Sequence, residues 1–251
     1  MAVVQRLPAP SLRRAVTTYH GFRSDEPSTR RREGPGSDVV MILTFDDGWR
    51  IDGERRASFA GGLRLDPVVT EHDGGMHGLQ ISLVPWAAHM LLRVPLHELA
   101  GTSVPLEELL PVELAERIGA ERTWEARFAA LDRELAGRLA DATPPDAGVV
   151  FAWKRLCATH GAARVGVIAS ELGWSRKRLA SRFREEIGLT PKASARLLRF
   201  ERARSLAGTM TWSELAFACG FVDQPHLIAE FRAFTGSTPE TFLQDTAVRA
   251  A

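Results

Sequence analysis

The chain has 251 residues, 45% of them apolar, and a formal net charge of +1 from 32 Lys and Arg against 31 Asp and Glu. That is enough apolar material for a packed core, and the length suits two modest domains better than one. No run of eighteen uncharged apolar residues occurs, which excludes a membrane-crossing helix, and two isolated thiols, Cys157 and Cys219, exclude a disulfide framework.

The first stretch, to about Leu83, combines short apolar runs with turn signals. Val39 to Leu43 predicts a buried strand, and Leu79 to Leu83 alternates as a half-exposed one. Asp46-Asp47-Gly48, Asp52-Gly53, Gly61-Gly62 and Asp73-Gly74-Gly75 punctuate the region between them, so an antiparallel sheet or small barrel is expected. Arg30 to Gly36 reads as an exposed loop. Met1 to Pro10 has no apolar stretch of signal-peptide length, and the expected location is cytoplasmic.

From Pro85 the pattern becomes helical. Pro85 suits a first helical position, and two short helical stretches follow Pro105 and Pro111. Thr123 can cap a longer helix with Phe128, Leu131, Leu135 and Leu139 on one face. That stripe must pack on its own domain or on a second subunit. Thr143 to Gly148 then breaks the pattern. The expected organisation is a sensor-like or dimerisation domain of α+β class over 1–143, a linker at 144–148, and an all-α domain over 149–246.

Charge separates the halves. Residues 1–149 hold 17 basic against 22 acidic side chains, and residues 164–204 hold 11 against 4. A basic window of some forty residues points to a polyanion partner. The same region carries an internal repeat. Ala169, Gly173 and Trp174 recur 47 positions later as Ala216, Gly220 and Phe221. Leu179, Phe183, Gly188 and Thr190-Pro191 recur 48 later as Leu227, Phe231, Gly236 and Thr238-Pro239. One inserted residue accounts for the shift.

Each copy has the same physics. A short apolar-faced helix ends at a glycine free to take positive φ, an aromatic residue wedges in, and a capped second helix buries apolar residues four apart. That is a helix-turn-helix. On the second helix of the first copy the outward residues are nearly all basic or small: Ser175, Arg176, Lys177, Arg178, Ala180, Ser181, Arg182 and Arg184. Such a helix suits the major groove of double-stranded DNA. Pro191 opens a long connecting helix whose Lys192, Arg196 and Arg199 are candidate phosphate contacts.

Residues 150–244, above all Ala216 to Phe221 and Phe231 to Pro239, resemble the AraC/XylS family of bacterial transcription regulators. The resemblance implies two units reading successive major-groove segments. By position it makes Arg176, Lys177, Ala180 and Ser181 base-reading candidates in the first unit. In the second unit it makes Gln224, Pro225, His226 and Ala229 candidates, with Arg232 beside them. Pro225 and Ala229 depart from the polar or donor residues that many members carry there. The first unit is therefore expected to supply most of the affinity, with Glu230 opposing phosphates in the second.

The spans from Asp66 to His72, Gly78 to Ile81, Val94 to Ala100 and Val104 to Leu110 resemble the sensor-like N-terminal region of one branch of that family. This implies a small-molecule effector, dimerisation, or both. A homodimer through the N-terminal domain or the 123–140 helix, and contact with RNA polymerase, follow as expected partners. His72, His77, His89 and His97 with Glu71 and Asp73 fit no compact ligand spacing, and no phosphate loop or nucleophile elbow is present. The expectation is a non-enzymatic regulator with no metal, catalytic residue or cofactor. Two alternatives stay open: a constitutive DNA-binding module whose N-terminal domain docks a protein, and a metal-dependent enzyme fused to a DNA-binding domain.

Overall fold

The structure, a computed structural model, describes residues 2–25, 27–46 and 48–250. Among the described residues the first part of the chain forms strands β1 (Ala2–Arg6), β2 (Val16–Ser24), β3 (Thr29–Glu33), β4 (Val39–Thr44), β5 (Trp49–Ile51), β6 (Glu54–Arg56), β7 (Phe59–Gly61), β8 (Val68–His72), β9 (Met76–Leu83) and, after helix α1 (Pro85–Leu92), β10 (Ser103–Pro105). They form a six-stranded sheet of order β1-β2-β9-β4-β7-β10 and a four-stranded sheet of order β3-β8-β5-β6, antiparallel throughout. The Asp52-Gly53 and Gly74-Gly75 turns adopt positive φ at both residues, which lets two-residue-scale connections follow the strand twist.

Two strand expectations need correction. Thr29 to Glu33 is not a loop: its backbone pairs with β8, and Arg30 meets Glu71 across the ladder at 2.7 Å. A run of arginines can form a strand when its outer face is solvated, and only Gly34 to Asp38 remains loop. The strand at Leu79 to Leu83 is not half exposed either. Leu79, Ile81 and Leu83 are fully buried and Ser82 is 5% exposed, because the second sheet covers the face that alternation assigns to water.

The helices are α2 (Glu113–Gly119), α3 (Trp124–Ala140), α4 (Ala147–Ala158), α5 (Val165–Glu171), α6 (Arg176–Ile187), α7 (Pro191–Leu206), α8 (Trp212–Ala218), α9 (Gln224–Thr235) and α10 (Pro239–Ala250). Thr123 caps α3 by accepting the Ala126 N–H at 3.2 Å, and Pro85 opens α1. The α3 stripe of Phe128, Leu131 and Leu135 is spent inside the chain. One member of that face is polar: Asp132 is 8% exposed, accepts hydrogen bonds from the Tyr19 hydroxyl at 3.0 Å and the Ala9 N–H at 3.1 Å, and faces Arg6 at 3.4 Å. Burial and the neighbouring carboxylate push the Tyr19 hydroxyl well above its ordinary pKa.

The apolar clusters cut across the expected halves of the chain. One runs from Met41, Leu43 and Ile81 of the large sheet through Leu91, Leu96 and Leu131 to Leu156, Leu179, Phe183 and Ile187. A second gathers Leu197, Phe200, Leu215, Phe221, Leu227, Phe231 and Phe234. A third, of Phe22, Ile42, Ile51, Phe59 and Met76, lies between the sheets. The first helix-turn-helix unit is thus packed on the N-terminal part, while the second unit has its own core.

Candidate nucleic-acid interface and the inter-sheet cavity

The repeat read from the sequence is repeated in the hydrogen bonds. In the first unit Gly173 takes φ +64° and the Trp174 N–H reaches back to the Ala169 carbonyl at 2.9 Å. In the second, Gly220 takes φ +73° and the Phe221 N–H reaches the Ala216 carbonyl, also at 2.9 Å. The capping also matches in kind: Ser175 Oγ accepts the Arg178 N–H at 3.1 Å, and Asp223 Oδ1 accepts the His226 N–H at 2.8 Å. These caps satisfy orphan donors of α6 and α9 and fix where each helix starts. Trp174 packs on the start of α4, so close to Gly148 that an added Cβ would lie 2.6 Å from its ring.

On α6, Ser175, Arg176, Lys177, Arg178, Ser181 and Arg184 are exposed, and Ala180 and Arg182 are half-buried. Among the described residues, Arg176, Lys177 and Arg184 make no ion pair, while Arg182 is held by Asp146, Glu185 and Glu186 and Arg178 stacks on Trp174 with its guanidinium 4.4 Å from the ring centre. Glu186 is 2% exposed and accepts the Asp146 N–H at 3.0 Å; burial raises its pKa against that bond and Arg182. Arg182 and Glu186 thus fasten the first unit to the 144–148 segment. Pro95 and His97 border the α6 face formed by Lys177, Ala180, Ser181 and Arg184.

On α9, Pro225, Ala229 and Arg232 are exposed and Gln224 and His226 half-buried. His226 Nδ1 accepts the Val222 N–H at 3.3 Å, and its ring meets Phe221 edge-on. Of the connecting-helix residues, Lys192 is exposed, but Arg196 and Arg199 turn inward. Arg196 makes a forked contact with Glu230 at 3.0 and 3.2 Å, so this carboxylate, 14% exposed, is neutralised by α7 rather than facing outward. Arg199 donates to the Gly161 carbonyl at 3.0 Å, and burial lowers its pKa. No local sequence signal predicts either contact, because both partners lie over thirty positions away.

A cavity of about 490 Å³ lies between the sheets. Register explains its walls: Thr29, Arg31 and Glu33 of β3 stand opposite His72, Thr70 and Val68 of β8, and all six line it. Val40, Ile42, Phe59, Gln80 and Ser82 of the large sheet also line it, and part of the wall comes from outside the sheets, from Gly34 to Asp38 and from Glu201 and Arg204 of α7. Glu201 Oε1 accepts the Ser37 N–H at 2.8 Å, and Arg204 donates to the Pro35 carbonyl at 3.3 Å. Burial, with Glu201 adding to it, pushes the Asp38 carboxyl up to about 6 against a hydrogen bond from Thr17. Of the other histidines, His77 contacts Arg127 at 2.8 Å and His89 Nδ1 the Val94 carbonyl at 2.8 Å. Of the Asp46-Asp47 pair, Asp47 lies outside the described residues.

Residues 168–245 match a family model described as a helix-turn-helix domain. Among solved structures, ToxT from Vibrio cholerae is 11% identical with a TM-score of 0.50, over 90% of this chain and 97% of that one. The C-terminal domain of AraT, a response regulator from Geobacillus stearothermophilus, is 18% identical with a TM-score of 0.38, over 41% of this chain and 88% of that one. An AraC-type DNA-binding-domain regulator from Chromobacterium violaceum is 27% identical with a TM-score of 0.35, over 38% and 87%. Among curated proteins the chain has no match. The paired motif and the family match define a DNA-binding transcription regulator. Its C-terminal region holds a helix-turn-helix domain, behind a two-sheet N-terminal part.

Proposed function

We propose that this chain is a sequence-specific DNA-binding transcription regulator whose grip on DNA is controlled by a small molecule held between its N-terminal sheets. Arg176, Lys177 and Ser181 read base edges in the first unit; Gln224 and His226 do so in the second. Arg184, Lys192 and Arg232 meet phosphates, and Arg196 and Arg199 set the angle between the units through Glu230 and Gly161. The observation that carries the control step is the shared wall: Glu201 and Arg204 of the helix joining the two units also line the cavity. A ligand that shifts the 34–38 loop shifts that helix, and with it the spacing of α6 and α9. Effector and DNA then bias one equilibrium and each must alter the other's affinity.

The test uses the full chain, a duplex from its own upstream region, a scrambled duplex and a salt series. Preference for the upstream duplex is expected. The three phosphate contacts, Arg184, Lys192 and Arg232, predict a log–log salt slope of about −2.7 or steeper, at about −0.9 per phosphate neutralised. A slope near zero, or equal affinity for both duplexes, refutes specific groove reading.

A further inference from the structure

The two reading helices differ along one line of side chains. On α9, Leu227, Phe231 and Phe234 are fully buried and fix the inner face. At about 100° per residue, Pro225 and Ala229 stand about 160° from Leu227, at the outer edge of the helix, and both are exposed. Arg232 continues the line, exposed and without an ion pair among the described residues. The repeat puts Lys177, Ser181 and Arg184 of α6 at the same three positions. Where the first unit presents a cation and a hydroxyl, the second presents two side chains that can neither donate nor accept a hydrogen bond. Val222 adds to this apolar end. It directly precedes the Asp223 cap, is the residue inserted relative to the first copy, and is 86% exposed.

We infer that the second unit recognises thymine, by packing Pro225 and Ala229 against the C5-methyl groups that thymine presents in the major groove. This deepens the proposed function and rests on its placing of α9 in that groove. The N-terminal part of such a helix meets base edges, and both residues lie in the first half of α9. Among the groups that the four base pairs present there, only the thymine methyl is apolar. A guanine, cytosine or adenine edge pressed against these side chains loses its water and gains no hydrogen bond in return. A thymine methyl gains by leaving water, and one such group is worth about a fourfold change in affinity. The two half-sites thus differ in chemistry: hydrogen-bonding edges under α6, methyl groups under α9. Pro225 and Ala229 are specificity-determining residues, and Val222 widens the apolar surface beside them.

The test is uracil interference with the full chain. The duplex from its own upstream region is prepared with deoxyuridine in place of a fraction of its thymines, bound and free duplex are separated on a gel, and each is cleaved at uracil. Uracil lacks only the methyl group, so one or two positions should be depleted from the bound fraction, about fourfold each. Ala229→Gly or Pro225→Ser should erase that depletion, and thermal melts of both variants confirm that they fold. At the depleted position, a 5-methylcytosine·guanine pair should bind about fourfold more tightly than a cytosine·guanine pair, because the methyl group is back. Specific binding of the upstream duplex without uracil depletion, depletion that persists in both variants, or equal affinity for cytosine and 5-methylcytosine overturns the inference and leaves the regulator reading standing. No preference for the upstream duplex over the scrambled one overturns both.

Discussion

The cavity wall contains a carboxyl group that folding makes hard to ionise, and this gives a prediction with a defined pH window. Asp38 ionises near 3.8 in an unfolded chain and at about 6 in the fold, with burial as the main cause and Glu201 adding repulsion, against the Thr17 hydroxyl donating at 3.2 Å. The folded state thus holds its proton more tightly. Stability from this group is fully present below about pH 4, falls as pH rises, and is lost above about pH 6. The shift corresponds to about 3 kcal/mol at about 1.4 kcal/mol per unit, and partial solvent access reduces it to about 1–2 kcal/mol. Asp38→Asn removes the ionisation while its amide oxygen can still accept from Thr17. The variant should exceed the parent by about 1–2 kcal/mol near pH 8, and the difference should vanish near pH 4. Urea unfolding followed by tryptophan fluorescence at several pH values measures this, and taking the difference between the two proteins cancels the other titrating groups. A gain that is the same at every pH, or a parent more stable than the variant near pH 8, refutes the reasoning.

Three further outcomes are expected. Lys177→Ala should weaken binding of the upstream duplex several-fold more than His226→Ala, because Lys177 is exposed and unpaired whereas His226 is occupied by Val222 and Phe221; equal losses in a gel-shift titration would sink the asymmetry. A double-mutant cycle on Arg196→Met and Glu230→Gln, read by urea unfolding, should give a coupling of about 1 kcal/mol, since the forked pair is only partly shielded. Residues 149–251 expressed alone should unfold at lower urea than the full chain, because Leu179, Phe183 and Ile187 belong to a cluster that includes Leu91 and Leu96; an unchanged midpoint would show that the first unit does not depend on that packing.

The local grammar of the C-terminal region was legible in its residues. Gly173 and Gly220 end helices because the turn demands positive φ, Ser175 and Thr190 begin them because a side-chain oxygen must meet orphan N–H groups, and Leu179 with Phe183 shows the buried face by spacing alone. The exposed basic face of α6 was equally plain. All of these are effects within one turn or one helix, where sequence distance and spatial distance coincide.

What only the tertiary structure decided involves partners far apart in the chain. Composition made Arg30 to Arg32 look like loop, and pairing with β8 made it strand. Alternation gave Leu79 to Leu83 a wet face, and a second sheet dried it. The stripe on α3 showed that the helix must pack but not that Asp132 on it would meet Tyr19 and Arg6. Arg196 and Arg199 looked like two more cations until Glu230 and the Gly161 carbonyl were brought against them. The cavity itself has no motif, because its walls come from separate strands, one loop and one helix. Sequence alone determined the short-range interactions from which the two helix-turn-helix units are built; long-range packing decided which charges remain unpaired and where a cavity opens between the sheets.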